Sequence, residues 1–334
     1  MTTSNLPLMP SRPLVLFASL LCLLLSTGTI AAGTTERPNV VIFVADDLGY
    51  ADPGYRGSGI ETPTLDRLAA EGMDLTRFYV APICSPTRAA LMTGRDPIRL
   101  GVAYGVLLPW DGGGVHTREH FMPQSFQAAG YQTAMVGKWH LGHAQQQLTP
   151  NARGFDEFYG HLHTEVGFYP PFSLLGGKDF QHNGKSIDDE GYETYLLADH
   201  ASRWIENRDK DKPFFMYLPF LAPHEPLEAP EELVEKYADM EDTRESARSP
   251  SGGTQLVNTL AGGGRRGLYA GVVDAMDQGM GRVMATLDEQ GISDNTIVIF
   301  FSDNGASRMP GRGGGGNAPL RGGKAETYEG GIRV

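Results

Sequence analysis

Val40-Val41-Ile42-Phe43-Val44-Ala45-Asp46-Asp47 is the stretch that decides how this chain folds. Apolar residues, mostly β-branched or aromatic, run unbroken into two adjacent carboxylates. A half-exposed strand would alternate apolar and polar positions, whereas an unbroken run this short suits a strand covered on both faces. The same form recurs along the chain. Thr133–Gly137 leads into Lys138, Trp139 and His140, Phe214–Leu221 into Ala222-Pro223-His224, and Thr296–Ser302 into Asp303 and Asn304. Helical patterns lie between these runs, over Thr64–Glu71, Pro86–Thr93, Pro123–Ala129, Tyr195–Asn207, Pro230–Tyr237 and Leu268–Gln290, with Gly130 and Gly291 as natural stops. This alternation predicts an α/β fold, a large and mostly parallel sheet between helices. In open sheets of that kind ligands bind beyond the carboxyl ends of the strands. Here each strand candidate delivers ionisable or ligand-type residues to that edge.

With 334 residues, 40% apolar and 20% charged, the chain has the balance of an ordinary globular protein with one large domain, or a large and a small one. Its formal net charge of -12 argues against a general affinity for nucleic acid or anionic membrane. Arg12, the apolar run Leu14–Leu25 and the small residues through Ala31 and Ala32 read as an export signal over residues 1–32. The run is shorter than the roughly 20 residues of a spanning helix, so no stable membrane anchor is expected. The mature protein is then expected to be periplasmic or extracellular. Cleavage removes Cys22 and leaves Cys84 as an unpaired cysteine in an oxidising compartment, where a free thiol is kept only if buried or used. Two segments interrupt the pattern. Glu241–Arg266 reads as a long loop, either a plain surface connection or a lid beside the site, and the glycine-rich Gly311–Asn317 is expected to be mobile.

Asp46, Asp47, Asp303 and Asn304 are hard oxygen donors at two strand ends, a set suited to Ca²⁺ or Mg²⁺ and not to zinc. Adjacent carboxylates that converge on one point repel unless a cation lies between them; a loop or N-cap pair is the simpler reading of Asp46-Asp47 alone. Cys84 precedes Ser85, a natural N-cap, and Pro86, a natural first helical residue, so it stands at a helix N-terminus, where a thiolate or a bound oxyanion is favoured. Arg88 follows one turn later. Taken alone, Cys84 reads equally well as a buried structural thiol. Lys138, His140, His224 and Lys324 add cations and proton-transfer groups without a transition-metal cluster. Trp139 reads as packing. So do His116, His120, His143, His161, His163, His182 and His200, on the surface or in the core, His161 and His163 being the two to watch.

Cys84-Ser85-Pro86-Thr87-Arg88-Ala89-Ala90-Leu91-Met92-Thr93-Gly94 resembles the signature of the sulfatase family, in the alkaline-phosphatase-like superfamily, at every fixed position. Gly137-Lys138-Trp139-His140-Leu141-Gly142 resembles its second signature, and the resemblance runs from residue 37 to 334 as one catalytic domain. It implies that Asp46, Asp47, Asp303 and Asn304 hold Ca²⁺, less readily Mg²⁺, with the side chain at Cys84 completing the metal site. It implies that a formylglycine-generating enzyme oxidises Cys84 to formylglycine, whose hydrate attacks sulfur. Arg88 then holds that group beside the metal, and Lys138 and His140 contact it and the sulfate. His224 lies near the leaving oxygen, and Lys324 binds sulfate. Thr164 falls roughly where relatives place a polar residue.

The expected activity is therefore hydrolysis of a sulfate ester, on an aryl group or a sugar, in the manner of arylsulfatases and N-acetylgalactosamine sulfatases. A phosphodiesterase or phosphonate monoester hydrolase of the same superfamily shares this machinery, and a non-catalytic metal-binding homologue is a further alternative. A thiol enzyme using Cys84 directly leaves the acidic cluster unexplained. Family members continue beyond the position of Val334 with further strands and a smaller C-terminal domain, so the expectation is a chain lacking that part of the fold.

Overall fold

A computed structural model of the chain describes residues 1, 37–164, 166–169, 178–241, 265–309 and 312–334. The export signal expected over residues 1–32 lies outside the described residues beyond Met1, as does most of the loop expected at Glu241–Arg266. Among the described residues no helix is long and apolar enough to cross a membrane. The secondary structure belongs to the unit Pro38–Val334.

The strands are β1 (Asn39–Ala45), β2 (Gln132–Lys138), β3 (Glu157–His161), β4 (Phe180–His182), β5 (Lys185–Ser186), β6 (Phe214–Pro219) and β7 (Thr296–Ser302). They form a seven-stranded sheet in the order β5-β4-β3-β2-β6-β1-β7. β1 lies next to the β7 edge, parallel to β6 on one side (Val40 opposite Phe215) and to β7 on the other (Ala45 opposite Ser302). β2 pairs in parallel with β6 and β3, and only the short β4 and β5 at the far edge run antiparallel. The helices are α1 (Pro63–Glu71), α2 (Cys84–Thr93), α3 (Met122–Ala128), α4 (Glu193–Asn207), α5 (Glu231–Lys236), α6 (Arg265–Glu289) and α7 (Glu329–Ile332).

Alternate residues of β1 supply two separate cores, because successive side chains of a strand point to opposite faces. Val41, Phe43 and Ala45 join Leu197 of α4 and Val272 and Met276 of α6, while Ile42 and Val44 join Met92 of α2, Phe121, Trp139 and Phe155. That is why the run shows no polar positions, and the mostly parallel α/β fold follows.

Two expectations are corrected, and three strands were not foreseen. β7 is not covered on both faces, since Ile297 and Ile299 are 48% and 40% exposed while Phe301 and Ser302 are buried. β3, β4 and β5 gave no apolar run to read, being short and rich in Glu, Gln, His and Lys. The glycine-rich segment from Gly313 to Asn317 is packed in place: a Cβ on Gly315 would stand 2.6 Å from Ala306, Asp52 and Tyr269, so its glycine serves close approach. Gly311, at the start of that segment, lies outside the described residues.

Candidate active site

The parallel register of β1 and β7 sets Ala45 beside Ser302, so the residues that come next, Asp46-Asp47 and Asp303-Asn304, leave the sheet side by side. The Asp303 amide closes this pairing by donating to Ala45 O at 3.0 Å. β2 ends on Lys138, and β6 is followed by the segment that carries His224. Gly137 admits the close crossing at this edge: it has φ +128°, and a Cβ there would meet Pro219 O at 2.0 Å. Asp47 and His140 are non-glycine residues at φ 69° and 62°, conformations that cost on the order of 1–3 kcal/mol each and gather at functional positions.

Charged groups interlock across these ends, all buried except Lys324, which is partly buried. The Arg88 guanidinium donates through Nε (2.9 Å) and Nη2 (2.7 Å) to Asp303 Oδ2 and through Nη1 to Lys138 O (3.0 Å). Its Nη2 also lies 3.7 Å from Asp46 Oδ2. Lys138 Nζ donates to Asp46 Oδ2 and, at 2.8 Å, to Thr164 Oγ1, which puts Thr164 in the site. Asp47 accepts from Asn304 Nδ2 at 2.6 Å and from Lys324 Nζ at 2.7 Å, and His224 Nε2 stands 3.8 Å from the same carboxylate. Asp46 Oδ1 and Asn304 Oδ1 are buried with no partner among the described residues, as are both ring nitrogens of His140.

Cys84 opens α2, and its Sγ lies within 4.8 Å of carboxylate oxygens of Asp46 and Asp303; Asp46, Asp47 and His224 converge equally closely. The helix starts earlier than its capping residues suggested, with Ile83 as N-cap, because Ser85 is used elsewhere. Its hydroxyl donates to His140 O (2.9 Å) and accepts from Leu107 N (3.1 Å), bolting α2 to the end of β2.

Burial sets the protonation states. It pushes the Cys84 thiol up, the nearby Lys138 and Lys324 only partly offsetting it. It pushes His140 and His224 down, with Lys138 and Lys324 respectively adding to the effect, so both rings are neutral. Asp46 is held well below the usual carboxylate range: burial opposes ionisation, but Lys138, His224, Arg88 and Lys324 together outweigh it. Asp303 is pushed up to about 7, by burial and then by the charge of Asp46, although Arg88 faces it. The two directions conflict at first sight, since Arg88 itself is raised by Asp303. Two guanidinium N–H groups on one Asp303 oxygen are the geometry of an ionised carboxylate, and Asp303 is therefore charged in the ion pair.

The sulfatase family model matches residues 38–334. The chain belongs to the sulfatase family. It is 34% identical to arylsulfatase J of Mus musculus over 312 residues, covering 91% of this chain and 48% of that protein. It is 36% identical to N-acetylgalactosamine-6-sulfatase of Mus musculus over 338 residues, covering 94% and 59% respectively. The crystal structure of Ps i-CgsB in complex with k-i-k-neocarrahexaose superposes with a TM-score of 0.77 at 35% identity, over 89% of this chain and 64% of that one. The chain thus spans about half to three fifths of the length of these curated relatives.

In this sulfatase-family chain, every site residue read from the sequence lies at the carboxyl edge of the sheet. His161 and His163 are buried beside Glu193 (3.4 Å) and Asp179 (3.3 Å), His161 standing opposite Lys138 in the β2–β3 register. The sequence reading missed the support of Asp47. Asp52 accepts from Gly49 N (3.0 Å), Gly316 N (3.0 Å), Tyr269 Oη (2.7 Å) and Arg266 Nη1 (2.6 Å), pinning the loop after β1 to α6. The available signal was weak: Asp52 sits in a turn-like Ala-Asp-Pro-Gly, and Arg266 closes a segment that reads as loop.

Proposed function

We propose that this chain hydrolyses sulfate esters, with a nucleophile made by oxidising Cys84 to formylglycine and a Ca²⁺ ion held by Asp46, Asp47, Asp303 and Asn304. The observation that carries the reading is the convergence of the Cys84 side chain with Asp46 and Asp303 at the start of α2. The donor set fits a hard cation, because Asp46 Oδ1 and Asn304 Oδ1 are buried oxygens left without a hydrogen-bond donor. Bound there, the ion would supply Lewis-acid stabilisation of the charge that develops on the transferring group. The buried thiol, pushed away from ionisation, is a poor nucleophile as it stands, which favours a modified side chain over a thiol mechanism. A hydrated aldehyde at that position supplies two hydroxyls, one for attack and one for release of sulfate.

The chain's own groups supply the rest. Asp46, Asp47 and Asp303 carry three negative charges against the three positive charges of Arg88, Lys138 and Lys324. A divalent cation therefore leaves a net positive site, matched to a monoanionic ester and one ionising hydroxyl. His224 Nδ1–H donates to Glu225 O at 2.7 Å, which fixes the ring with Nε2 toward Asp47 and the site; a proton taken up at Nε2 from solvent as the anionic ester binds would then be delivered to the leaving oxygen. His140, neutral and with both ring nitrogens unpaired, is suited to take a proton from a hydroxyl. Lys138 and Lys324 give N–H groups for sulfate oxygens. A sulfated sugar is the favoured substrate class, since one relative is named for N-acetylgalactosamine 6-sulfate chemistry and a structural neighbour was crystallised with a neocarrahexaose.

The test is peptide mass spectrometry of the tryptic fragment containing Cys84, after co-expression with a formylglycine-generating enzyme. Loss of mass from thiol to aldehyde is expected; an intact thiol beside a matured control sulfatase would refute the proposal. His224→Ala should separate substrates by leaving group. Turnover of a sugar sulfate, whose alkoxide needs a proton, should fall about 10²–10⁴-fold, and that of a nitrophenyl sulfate far less. Equal losses on both would remove His224 from the role of acid.

A further inference from the structure

Away from the acidic cluster, a second set of metal-type ligands lies on the opposite wing of the sheet. In the antiparallel pairing of β3 with β4, Tyr159 faces His182, so Glu157, Tyr159 and His182 share one face of the sheet. α4 covers that face and lowers His200 onto it. The Nε2 atoms of His182 and His200 each stand 2.8 Å from the same oxygen, Glu157 Oε1, and the three ligand atoms lie within 4.8 Å of one another. The two imidazoles meet at 75° with centroids 5.2 Å apart, converging on one point.

Neighbouring groups hold these ligands in position. Asn183 Nδ2 donates to Glu157 Oε2 at 2.9 Å, while Asn183 Oδ1 accepts from Phe158 N (2.8 Å) and Asn151 Nδ2 (3.0 Å). The second carboxylate oxygen is thereby pinned, and Oε1 is left to the two rings. The His200 ring stacks on Tyr159 at 4.0 Å and 5°. The His182 side chain is 45% exposed against 14% for His200 and 16% for Glu157, so a fourth position opens to solvent.

We propose that Glu157, His182 and His200 form a binding site for a borderline transition-metal cation of the Zn²⁺ class. Two imidazoles and one carboxylate with an open fourth position are the donor set of four-coordinate zinc, and the nitrogen ligands set the site apart from the all-oxygen cluster at Asp46 and Asp303. Uptake of the ion moves each ring proton from Nε2 to Nδ1 through solvent, with no change in ring charge. The bound cation clips β3, the end of β4 and α4 together, three elements of the same wing of the sheet. The site is independent of whether Cys84 is modified.

The experiment uses the full chain, stripped with a chelator and then kept in excess Ca²⁺ so that the acidic cluster is occupied, and titrated with Co²⁺. A saturable visible absorption of four-coordinate cobalt, displaced by Zn²⁺, is expected, together with a Zn²⁺-dependent rise in the unfolding midpoint. His182→Ala and Glu157→Gln should abolish both signals, and Asn183→Ala should weaken binding about tenfold, as for a partner that orients a ligand. The half-exposed His182 keeps the first variant foldable, which its metal-free unfolding midpoint checks. No cobalt spectrum, or one that survives His182→Ala in a folded protein, would overturn the assignment.

Discussion

Asp303→Ala is expected to lower the unfolding midpoint by roughly 10 °C and to remove any stabilisation by Ca²⁺. Arg88 is 1% exposed and spends two of its N–H groups on Asp303 Oδ2. Without that carboxylate the guanidinium keeps, among the described residues, Lys138 O, a 3.7 Å approach to Asp46 and the nearby Tyr217 hydroxyl, none of which replaces the lost charge at contact distance. A buried charge stripped of its partner costs about 3–5 kcal/mol, far more than the net worth of the intact pair. Asp303→Asn separates the two components, because an amide still offers an oxygen to Arg88 but no charge to it or to a cation. Thermal unfolding with and without Ca²⁺ should rank wild type above Asp303→Asn and Asp303→Ala lowest. An alanine variant that melts within a degree of wild type would mean that Arg88 finds another partner, and that the ion pair contributes nothing to the fold.

Cys84→Ala should abolish sulfate-ester turnover, by an amount on the order of 10⁶-fold if the nucleophile lies at this position, while leaving the fold intact. The thiol occupies a small buried volume and makes no hydrogen bond that α2 depends on, whose anchoring runs through Ser85 and Arg88. The cost in stability should therefore stay near that of a small core truncation, about 1 kcal/mol. Measuring kcat and the unfolding midpoint on one preparation distinguishes chemistry from collapse. Residual turnover within tenfold of the matured wild type would place the nucleophile elsewhere.

The site was legible because a parallel sheet concentrates chemistry at one edge, and a strand that is buried on both faces announces itself as an unbroken apolar run. β1, β2 and β6 fit that description, so the residues ending them could be set side by side from the sequence alone. β7 was found for the same reason, though Ile297 and Ile299 turned out to face outward. Periodicity cannot tell which face of an apolar strand is covered. The short strands β3 to β5 were not legible, because they are held by pairing with their neighbours and by Asn183 and Asp179 side chains, without a long run of apolar residues to announce them. For that reason His182 and His200 read as surface or packing histidines, and Glu157 drew no reading. The support of Asp47 by Asp52 and Tyr269 was hidden too, since it joins residues more than 200 positions apart. The glycine run at Gly313–Gly316 misled in the other direction, because composition alone does not separate a glycine that frees the chain from one that lets two backbones touch.

β7 has one further consequence, for the behaviour of many molecules together. It pairs only with β1 among the described residues, so one line of backbone donors and acceptors is left along its outer side. Thr296-Ile297-Val298-Ile299-Phe300-Phe301-Ser302 holds neither a charge nor a proline, the usual guards of an open edge. Association along that edge is therefore expected at high concentration, opposed by the formal net charge of -12 only through long-range repulsion. Salt screens that repulsion within about 10 Å at 0.1 M while leaving the strand's hydrogen-bonding edge untouched, so ionic strength governs whether concentrated solutions stay clear.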